Sequence, residues 1–546
     1  MSRLCIGLLL CLLVLAVLPD NEARNWMQQA QQGFSSSARQ GKHIDAAGPD
    51  DSVRPEADDI WDGNITAHYA VIIAGSQGWW NYRHQADACH AYSVLLTGGL
   101  NPHRIITMLY DDIAQDPNNP MPGMIVNRPG GPDVYLGGKM IDYRGDDVNA
   151  ANFLSVLTGD AKAMRKIGSG KVVASGPNDR VFVFFSDHGG PGVLGMPSGP
   201  FLYADQLMEA LQRKQAAGGF KEMTLYIEAC ESGSMFEGLL PSDINVYVAT
   251  ASNAFESSWG TYCPGMEPEP PTGFDTCLGD LFSVAWMEDS ELEDSQQETL
   301  QLQFKIVELR TSDNFTYSMG SHAMQYGALD IQSEHTSSYI GPHNGVAPST
   351  LALTGPNPHL SLHNRHHVKQ RDADLVPLRV RLARAKTLAQ REAAQAALDA
   401  AESWRRAVDE SMELAVATLL AAPATGHKLL TRMGWNGLQG GIKHTSELLK
   451  VAHRLVWASP RVAQGQPLIQ APGTWDCLRG MAAAWETECG QSSALHQQYL
   501  MQHTGLFASL CNSGVQAVEF SQALRDPAGG CSTGRALSVG SLAVQR

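Results

Sequence analysis

Two reactive side chains stand at the C-terminal ends of two apolar runs in the middle of the chain. His188 follows the run 181–185, and Cys230 follows the run 224–229. In an open α/β sheet, the carboxyl ends of the strands are where ligands bind. A helix-length stretch separates the two runs, so parallel strands would carry the imidazole and the thiol to the same edge of one sheet. A thiol beside an imidazole is a nucleophile with its base.

The residues next to this histidine and this cysteine favour a chemical role over a packing role. Gly189 follows His188 directly, and the small residues 232–234 after Cys230 would let a substrate approach and would expose backbone N–H donors. Cys89 lacks such a setting, and we interpret it as a small buried hydrophobic side chain.

The apolar runs that would position these groups alternate with helix-length segments. Each run is apolar throughout, which is typical of a strand that is buried on both faces. Such strands form parallel sheets, so we predict an α/β fold with a mostly parallel sheet flanked by helices. The predicted strands are 69–74, 104–109, 181–185, 224–229 and 245–250, and the predicted helices include 85–97 and 204–216.

The composition changes after residue 335. Ser, Gly, Pro, His and Asn dominate the segment 336–375, which we interpret as an exposed linker. Beyond it Ala, Leu, Arg, Gln and Glu dominate, and apolar residues within 404–419 fall on one helical face. We therefore predict a catalytic α/β domain at 61–335 and an all-helical C-terminal domain at 376–546.

The N-terminus has the pattern of a targeting segment followed by a propeptide. Arg3 precedes an apolar run from Leu4 to Leu18 that is too short to span a bilayer comfortably, so residues 1–20 are predicted to be a secretory signal peptide. Residues 21–60 are polar and lack periodicity, and we interpret them as an N-terminal propeptide. No later segment is apolar enough to predict a membrane anchor.

The chain is acidic, with a formal net charge of -16. An acidic chain offers no basic surface to nucleic acid or to an anionic membrane, so we expect neither as a partner. The acidic run 288–294 is interpreted as a solvated helix end or loop. We expect no cofactor and no metal.

Ten cysteines in a secreted chain predict a set of disulfides with some thiols left over. Cys263 and Cys277 flank a Pro/Gly-rich loop that would bring them together. Two N-glycosylation sequons, at Asn64 and Asn314, should lie on the surface. Four further cysteines near the C-terminus should form two bridges, and these are Cys477, Cys489, Cys511 and Cys531.

Five segments carry a family resemblance, namely 74–76, 80–92, 110–114, 186–189 and 228–235. Together they are similar to the legumain family, the asparaginyl endopeptidases. The segments 250–265 and 277–280 resemble the substrate loop of the plant vacuolar processing enzymes in that family. The resemblance covers the catalytic region and continues more loosely to the C-terminus. It implies a caspase-like fold.

The resemblance also implies a cysteine endopeptidase mechanism. At the matching positions, Cys230 would attack a peptide carbonyl as a thiolate, His188 would move the proton, and Asn81 would orient the imidazole. The backbone N–H groups of Gly189 and Cys230 would form the oxyanion hole.

A pocket for asparagine follows from the same resemblance. Arg83 would donate to the carboxamide oxygen, while Glu228 and Asp280 would accept from its nitrogen. Ser257 and Ser258 would help to bind the peptide backbone. Such a slot rejects apolar side chains because its buried groups would lose their partners. At acid pH a protonated aspartate could mimic asparagine, so weaker cleavage after Asp is expected.

The C-terminal domain resembles the prodomain of the family. Its cysteines keep a similar order, which suggests the pairs Cys477–Cys511 and Cys489–Cys531. The resemblance implies a zymogen whose prodomain is an intramolecular inhibitor and whose substrates are proteins and peptides. Acid pH would protonate interface carboxylates and displace the prodomain, and autocatalytic cleavage would then remove it.

Activation cleavage would occur in the predicted linker. The secretory route would lead to a vacuole or a lysosome, with the extracellular space left open. The candidate processing sites are Asn344, Asn364, Asp372 and Asp374.

Three alternative functions use the same residues. A peptide ligase would pass the thioester at Cys230 to an incoming amine, although the small residues at Gly260 and at 190–191 favour hydrolysis. The related glycolipid-anchor transamidase subunit is disfavoured because no C-terminal membrane span is predicted. A secreted binding protein or inhibitor would keep the fold with Cys230 inert.

Overall fold

The computed structural model describes most of the chain after the N-terminal segment. The predicted signal peptide 1–20, the predicted propeptide 21–60 and the candidate sites Asn64 and Asn364 lie outside the described residues. The described residues are 65–345, 367–432, 445–457, 466–469, 473–489, 498–526 and 531.

Six strands form one sheet at the centre of the catalytic domain. The strands of the described chain are β1 His68–Ala74, β2 Ile105–Met108, β3 Arg180–Ser186, β4 Gly189–Gly190, β5 Val193–Leu194, β6 Leu202–Tyr203, β7 Glu222–Glu228, β8 Val246–Thr250, β9 Trp259–Thr261, β10 Gly279–Asp280, β11 Met324–Gly327 and β12 Val368–Lys369. The central sheet has the order β11-β8-β7-β3-β1-β2. Only the β11–β8 pair is antiparallel within this sheet. The predicted mostly parallel sheet is confirmed.

The residues of β3 show why the strands are apolar throughout. Val181, Val183 and Phe185 belong to one core cluster, whereas Phe182 and Phe184 belong to a second. Every residue of the strand is buried. Successive side chains of a strand point to opposite faces of the sheet, so both faces of this sheet are covered by apolar side chains.

Helices provide that cover. The helices of the described chain are α1 Tyr82–Thr97, α2 Ala150–Thr158, α3 Ala161–Met164, α4 Ala204–Ala216, α5 Leu281–Leu292, α6 Leu300–Thr311, α7 Ser337–Ile340, α8 Leu375–Arg384, α9 Leu388–Ala421, α10 Pro423–Arg432, α11 Thr445–Trp457, α12 Thr474–Cys489, α13 Thr504–Asn512 and α14 Ala517–Arg525. Ala86 of α1, Trp286 of α5 and Phe304 of α6 join the cluster of the even-numbered β3 residues. Phe153 of α2 and Leu207 of α4 join the other cluster.

The helical C-terminal domain is also confirmed, and it packs against the sheet. Its residues Met412 of α9 and Trp485 of α12 share a core cluster with the odd-numbered β3 residues. Disulfides join Cys477 to Cys511 and Cys489 to Cys531, and a third joins Cys263 to Cys277 in the catalytic domain. Within the described ranges, none of the helices is long and apolar enough to cross a membrane.

The interpretation of the acidic run 288–294 as a solvated helix end or loop is wrong for its first two residues, Glu288 and Asp289, which are buried. These residues are 3% and 0% exposed. Nη1 of Arg310 lies 2.7 Å from Oε2 of Glu288, and the Gln303 amide donates to Asp289 over 3.3 Å. Buried carboxyl groups are tolerated when they are paired and hydrogen-bonded, and here both partners come from the neighbouring helix α6.

The predicted exposed linker 336–375 is exposed only in part, so that prediction is wrong where the chain packs on the catalytic domain. Tyr339 and Ile340 of α7 are each 2% exposed, and Leu375 is 3% exposed. The strand β12 joins a small sheet of order β10-β9-β12. The segment is polar on average, but its few apolar residues pack on the catalytic domain and bury the chain around them.

Candidate active site

The adjacent strands β3 and β7 end side by side. Ser186 pairs with Glu228 in parallel register, and His188 and Cys230 each follow two residues later. The two loops meet at Gly189, where a side-chain carbon would lie 2.2 Å from the carbonyl oxygen of Cys230. Only glycine fits at this distance, so the residue after the imidazole determines how closely the two loops approach.

Asn81 fixes the orientation of the His188 ring. Nε2 of His188 lies 2.8 Å from Oδ1 of Asn81, while Nδ2 of Asn81 donates to the carbonyl oxygen of Gln77 over 2.9 Å. An amide oxygen only accepts, so Nε2 carries the proton and Nδ1 is the nitrogen that can take one up. The guanidinium of Arg83 lies 3.4 Å from the same Nε2, which is a longer contact between two donors.

The histidine and the cysteine are both neutral in this closed form. Burial, and after it the charges of Arg83, Arg371 and Arg405, lowers the pKa of His188 well below its usual value. Burial raises the pKa of Cys230, although Arg371 opposes this shift. The thiolate is the nucleophilic form of cysteine, so the arrangement disfavours attack while these groups stay buried.

A polar slot contains one guanidinium and two carboxyl groups. Nε of Arg83 lies 2.9 Å from Oδ1 of Asp280, and these side chains are 1% and 0% exposed. Oε2 of Glu228 accepts from the backbone N–H and from the hydroxyl of Ser283, both over 3.1 Å. Burial raises the pKa of Asp280, and burial together with the charge of Asp280 raises the pKa of Glu228 to about 8.

Two serines connect this slot to the thiol. Oγ of Ser257 lies 3.2 Å and Oγ of Ser258 lies 4.0 Å from the sulfur of Cys230. Ser258 also helps to hold down the pKa of Glu228. The structure therefore brings together all nine residues predicted for catalysis and substrate binding, which are Asn81, Arg83, His188, Gly189, Glu228, Cys230, Ser257, Ser258 and Asp280.

A second set of buried polar groups lies behind the slot, and the sequence motifs did not single it out. Asp87 accepts from the hydroxyl of Ser186 over 3.0 Å and from the backbone N–H of Asp280 over 3.3 Å. The His84 ring lies at right angles to the His188 ring, with 4.8 Å between the ring centroids. The only sequence signal was their position inside the segments that carry the family resemblance.

A segment that precedes the helical domain lies across the site. Its strand β12 pairs antiparallel with β9. The backbone N–H of the next residue, Gln370, donates to the carbonyl oxygen of Ser258 over 3.0 Å. An extended peptide that adds to a strand edge in this way is a common mode of peptide binding.

The side chain of Gln370 enters the slot. Its Oε1 lies 3.8 Å from the sulfur of Cys230, and its amide group helps to hold down the pKa of Asp280. Gln370 is 1% exposed. The slot is thus occupied by a carboxamide that belongs to the chain itself.

Two arginines hold this segment in place. Arg371 forms an ion pair with Glu231, the residue after the cysteine. Arg405 of α9 contacts Asp372 over 2.7 Å and Asp374 over 2.5 Å, and it stacks on the ring of Tyr499. Together with β12 these ion pairs seal the site.

The space that remains at His188 is a cavity of about 10 Å³, which is the size of one water molecule. No peptide could enter it without movement of the covering segment. It is lined by Asn81, Arg83, His188, Arg371, Asp374, Arg405, Gln498 and Tyr499.

The candidate processing and glycosylation sites differ in accessibility. Asn314 and Asn344 are exposed. Asp372 and Asp374 stay predicted processing sites, and in this form of the protein both carboxylates are bound by Arg405. The pairing could not be foreseen because Arg405 comes from a distant helix.

A thiol and an imidazole at adjoining strand ends, closed by a helical domain of the same chain, define a cysteine peptidase in zymogen form. Comparison with known families agrees with this class. The peptidase C13 family profile matches residues 68–342, and the legumain prodomain profile matches residues 443–527. The chain belongs to the peptidase C13 family.

Curated relatives match along most of their length. The chain is 44% identical over 490 residues to the vacuolar-processing enzyme beta-isozyme of Arabidopsis thaliana, and the match covers 89% of this chain and 91% of that protein. It is 42% identical over 474 residues to legumain of Canavalia ensiformis, with 87% and 91% covered. Among solved structures, caspase-1 of Spodoptera frugiperda matches at 12% identity with a TM-score of 0.29, covering 50% of this chain and 92% of that one.

Proposed function

We propose that this protein is an acid-activated endopeptidase that cuts peptide chains after asparagine, and more weakly after aspartate. One observation carries the proposal: the slot beside Cys230 offers a guanidinium donor from Arg83 and carboxyl acceptors from Glu228 and Asp280. A carboxamide needs a donor for its oxygen and an acceptor for its nitrogen. Gln370 already places a carboxamide beside Asp280 in this slot.

The reaction would begin at Cys230. Nδ1 of His188 takes the thiol proton as the sulfur attacks the carbonyl carbon, and the backbone N–H groups of Gly189 and Cys230 stabilise the oxyanion. The C–N bond then breaks, the proton passes to the leaving amine, and a thioester remains. Water adds to the thioester with the help of the same imidazole, which releases the acid and restores the thiol.

Asn81 would support this cycle without touching the substrate. Its Oδ1 holds Nε2 of His188 at 2.8 Å, which keeps Nδ1 as the base in the first step. The same contact would stabilise the imidazolium that forms after proton uptake, because an amide oxygen accepts from a charged ring as well.

The helical domain would act as an intramolecular inhibitor that acid displaces. In the closed form burial, and after it the charges of Arg83, Arg371 and Arg405, lowers the pKa of His188 well below its usual value. An imidazole that regains its ordinary pKa when the covering segment leaves takes up a proton in acid, so falling pH favours the open form. Burial raises the pKa of Glu231 and Asp374, the carboxyl groups that face Arg371 and Arg405, so these two groups oppose release.

Cleavage within 336–375 would make the release permanent. Asn344 is the exposed candidate among the described residues, and Asn364 is the other asparagine candidate. The similarity to vacuolar-processing enzymes supports a vacuolar or lysosomal compartment, which the predicted signal peptide would reach through the secretory pathway.

The test is hydrolysis of fluorogenic peptides that end in Asn, Asp or Gln, after preincubation of the full chain at acid pH. We expect rapid cleavage of the Asn peptide, slower cleavage of the Asp peptide at low pH, and none with Cys230→Ala. A preparation that releases its C-terminal domain and still cleaves no Asn peptide would overturn the proposal. A cyclised or amine-captured product in place of the acid would favour the ligase alternative.

A further inference from the structure

The side chains of Tyr262, Glu288 and Arg310 form a closed ring of polar contacts behind the strand β9. The hydroxyl of Tyr262 donates to Oε1 of Glu288 over 2.8 Å, and Nη2 of Arg310 donates to the same hydroxyl over 2.9 Å. Nη1 of Arg310 lies 2.7 Å from Oε2 of Glu288. Tyr262 is 2% exposed and Glu288 is 3% exposed. The ring joins the end of β9 to helices α5 and α6.

The backbone of Tyr262 is held in an unusual conformation. Its φ is 53°, in the left-handed region that bulky residues rarely occupy. The residue follows β9 directly, and its carbonyl oxygen accepts from the N–H of Leu278 over 3.2 Å. A bulky residue keeps such a conformation only where the surrounding contacts hold it there, and residues of this kind are common near functional sites. Here the contacts with Glu288 and Arg310 hold Tyr262 in place.

The strand β9 forms one wall of the polar slot. Ser258, just before the strand, provides the carbonyl oxygen that binds the N–H of Gln370. A side-chain carbon at Gly260, within the strand, would lie 3.6 Å from both Cδ of Arg83 and Oδ1 of Asp280. The strand therefore packs directly on the charged pair, and a shift of about 1 Å would change both the backbone contacts and the width of the slot, which is enough to alter rates strongly.

We propose that Tyr262, fixed by Glu288 and Arg310, is a positioning residue that sets the place of β9 against the slot and thereby the affinity for substrate. Its hydroxyl contacts Glu288 and Arg310 rather than the thiol. The inference rests on the proposed function, since it concerns the same slot. It also gives a role to Glu288, which no catalytic step uses.

The chain contains a matched ring at the other end of the sheet. The hydroxyl of Tyr339 donates to Oε2 of Glu334 over 2.8 Å, and Nη2 of Arg180 lies 2.9 Å from Oε1 of Glu334. Tyr339 is 2% exposed, as Tyr262 is. Arg180 begins β3, whereas the active site lies where β3 ends. Loss of the Tyr339 hydroxyl removes one hydrogen bond and loss of the Tyr262 hydroxyl removes two, but only the contacts of Tyr262 adjoin β9.

The experiment compares Tyr262→Phe with Tyr339→Phe in the full chain after acid activation. Three quantities are measured: kcat and KM for the Asn peptide, the rate at which iodoacetamide inactivates the thiol, and Tm. Iodoacetamide is too small to use the backbone contacts of β9, so its rate reports the thiol and the imidazole alone.

We expect Tyr262→Phe to lower kcat/KM about tenfold, mostly through a higher KM, which is the scale of loss when a buried hydrogen-bond partner is removed. Its iodoacetamide rate should match that of Tyr339→Phe, which should keep the wild-type kcat/KM, and its Tm should fall by at least as much as that of Tyr339→Phe. If Tyr262→Phe yields little folded protein, Glu288→Gln and Glu288→Leu replace it. Glu288→Gln keeps an acceptor for the phenol and should retain more of the peptide affinity than Glu288→Leu.

The outcomes separate the two proposals. Equal kcat/KM for the two tyrosine variants, or equal losses in peptide and iodoacetamide rates, would overturn the positioning role while the proposed function stands. Wild-type protein that cleaves no Asn peptide would overturn the proposed function and this role with it.

Discussion

The side-chain oxygen of Gln370 lies 3.8 Å from the sulfur of Cys230, and the same amide influences the pKa of Asp280. The zymogen thus keeps a carboxamide in the slot that we assign to asparagine. Glutamine has one methylene group more than asparagine. The carboxamide of Gln370 is therefore farther from the backbone than that of a substrate asparagine would be. This relationship connects the inhibition of the enzyme to its proposed substrate preference.

Gln370→Asn should turn the inhibitory segment into a substrate. The shorter side chain would place its amide in the slot as a substrate asparagine does, while β12 keeps the backbone in place. We expect a new cut after residue 370 during acid incubation, detected by intact-mass spectrometry of the released fragments.

Gln370→Ala is the matched control for that cut. It empties the slot and offers no carboxamide, so it should speed the labelling of Cys230 by a thiol reagent without a cut at residue 370. If neither Gln370→Asn nor the wild type is cut there while Asn344 is, the segment does not lie in the orientation of a substrate.

Arg405→Gln should raise the pH at which the zymogen activates. Arg405 binds both Asp372 and Asp374 and so holds the covering segment on the catalytic domain. Without the guanidinium the covering segment loses this clamp, so less acid is needed to open the site. The measurement is the fraction of separated prodomain across a pH series.

The control for Arg405→Gln is Arg525→Gln. Arg525 lies 2.8 Å from Glu488, and both residues belong to the helical domain, so this ion pair does not cross to the catalytic domain. Its loss should leave the activation midpoint where it is in the wild type. An unchanged midpoint in Arg405→Gln as well would mean that the clamp does not control release.

The strand-end positions of His188 and Cys230 could be predicted because buried parallel strands leave continuous apolar runs in a sequence. The same was true of the helical domain, where apolar residues recur on one face. Gln370 and Arg405 could not be predicted, since their importance comes from contacts between segments that are distant in the chain. Glu288 was misinterpreted for the same reason: its partner Arg310 lies on another helix, and an acidic run alone indicates solvent.

Asn81→Ala should lower kcat by about tenfold to a hundredfold, the effect of a misplaced catalytic group, with little change in KM. Asn81 contacts Nε2 of His188 and no part of the covering segment that occupies the slot. Asn81→Asp keeps an acceptor at the same place and adds a negative charge, which favours the protonated ring. It should retain more activity than Asn81→Ala and should move the lower limb of the pH–rate profile to higher pH. Profiles that superimpose for the two variants would contradict an orienting role.

The buried carboxyl pair on α5 and the loop after it should contribute more stability in acid than at neutral pH. Burial raises the pKa of Asp289 from 3.8 to about 7 and that of Glu298 from 4.5 to about 11, and the two side chains hydrogen-bond to each other. Between about pH 4 and pH 7 the folded state therefore keeps a proton that the unfolded chain has lost. The contribution of the carboxyl pair to stability is fully present below the pKa of the unfolded chain. It is lost as pH rises through the pKa of the folded protein.

Asp289→Asn tests this carboxyl pair, because an amide has no proton to lose while it keeps the shape of the side chain. We expect the Tm of the wild-type zymogen to fall between about pH 4 and pH 7, and the Tm of Asp289→Asn to fall less steeply over the same window. Glu298 should leave a residual slope, since burial is the main cause of its own shift. Asp330→Asn, at an exposed position, should follow the wild type. Equal slopes for all three proteins would show that the carboxyl pair does not govern the pH dependence of stability.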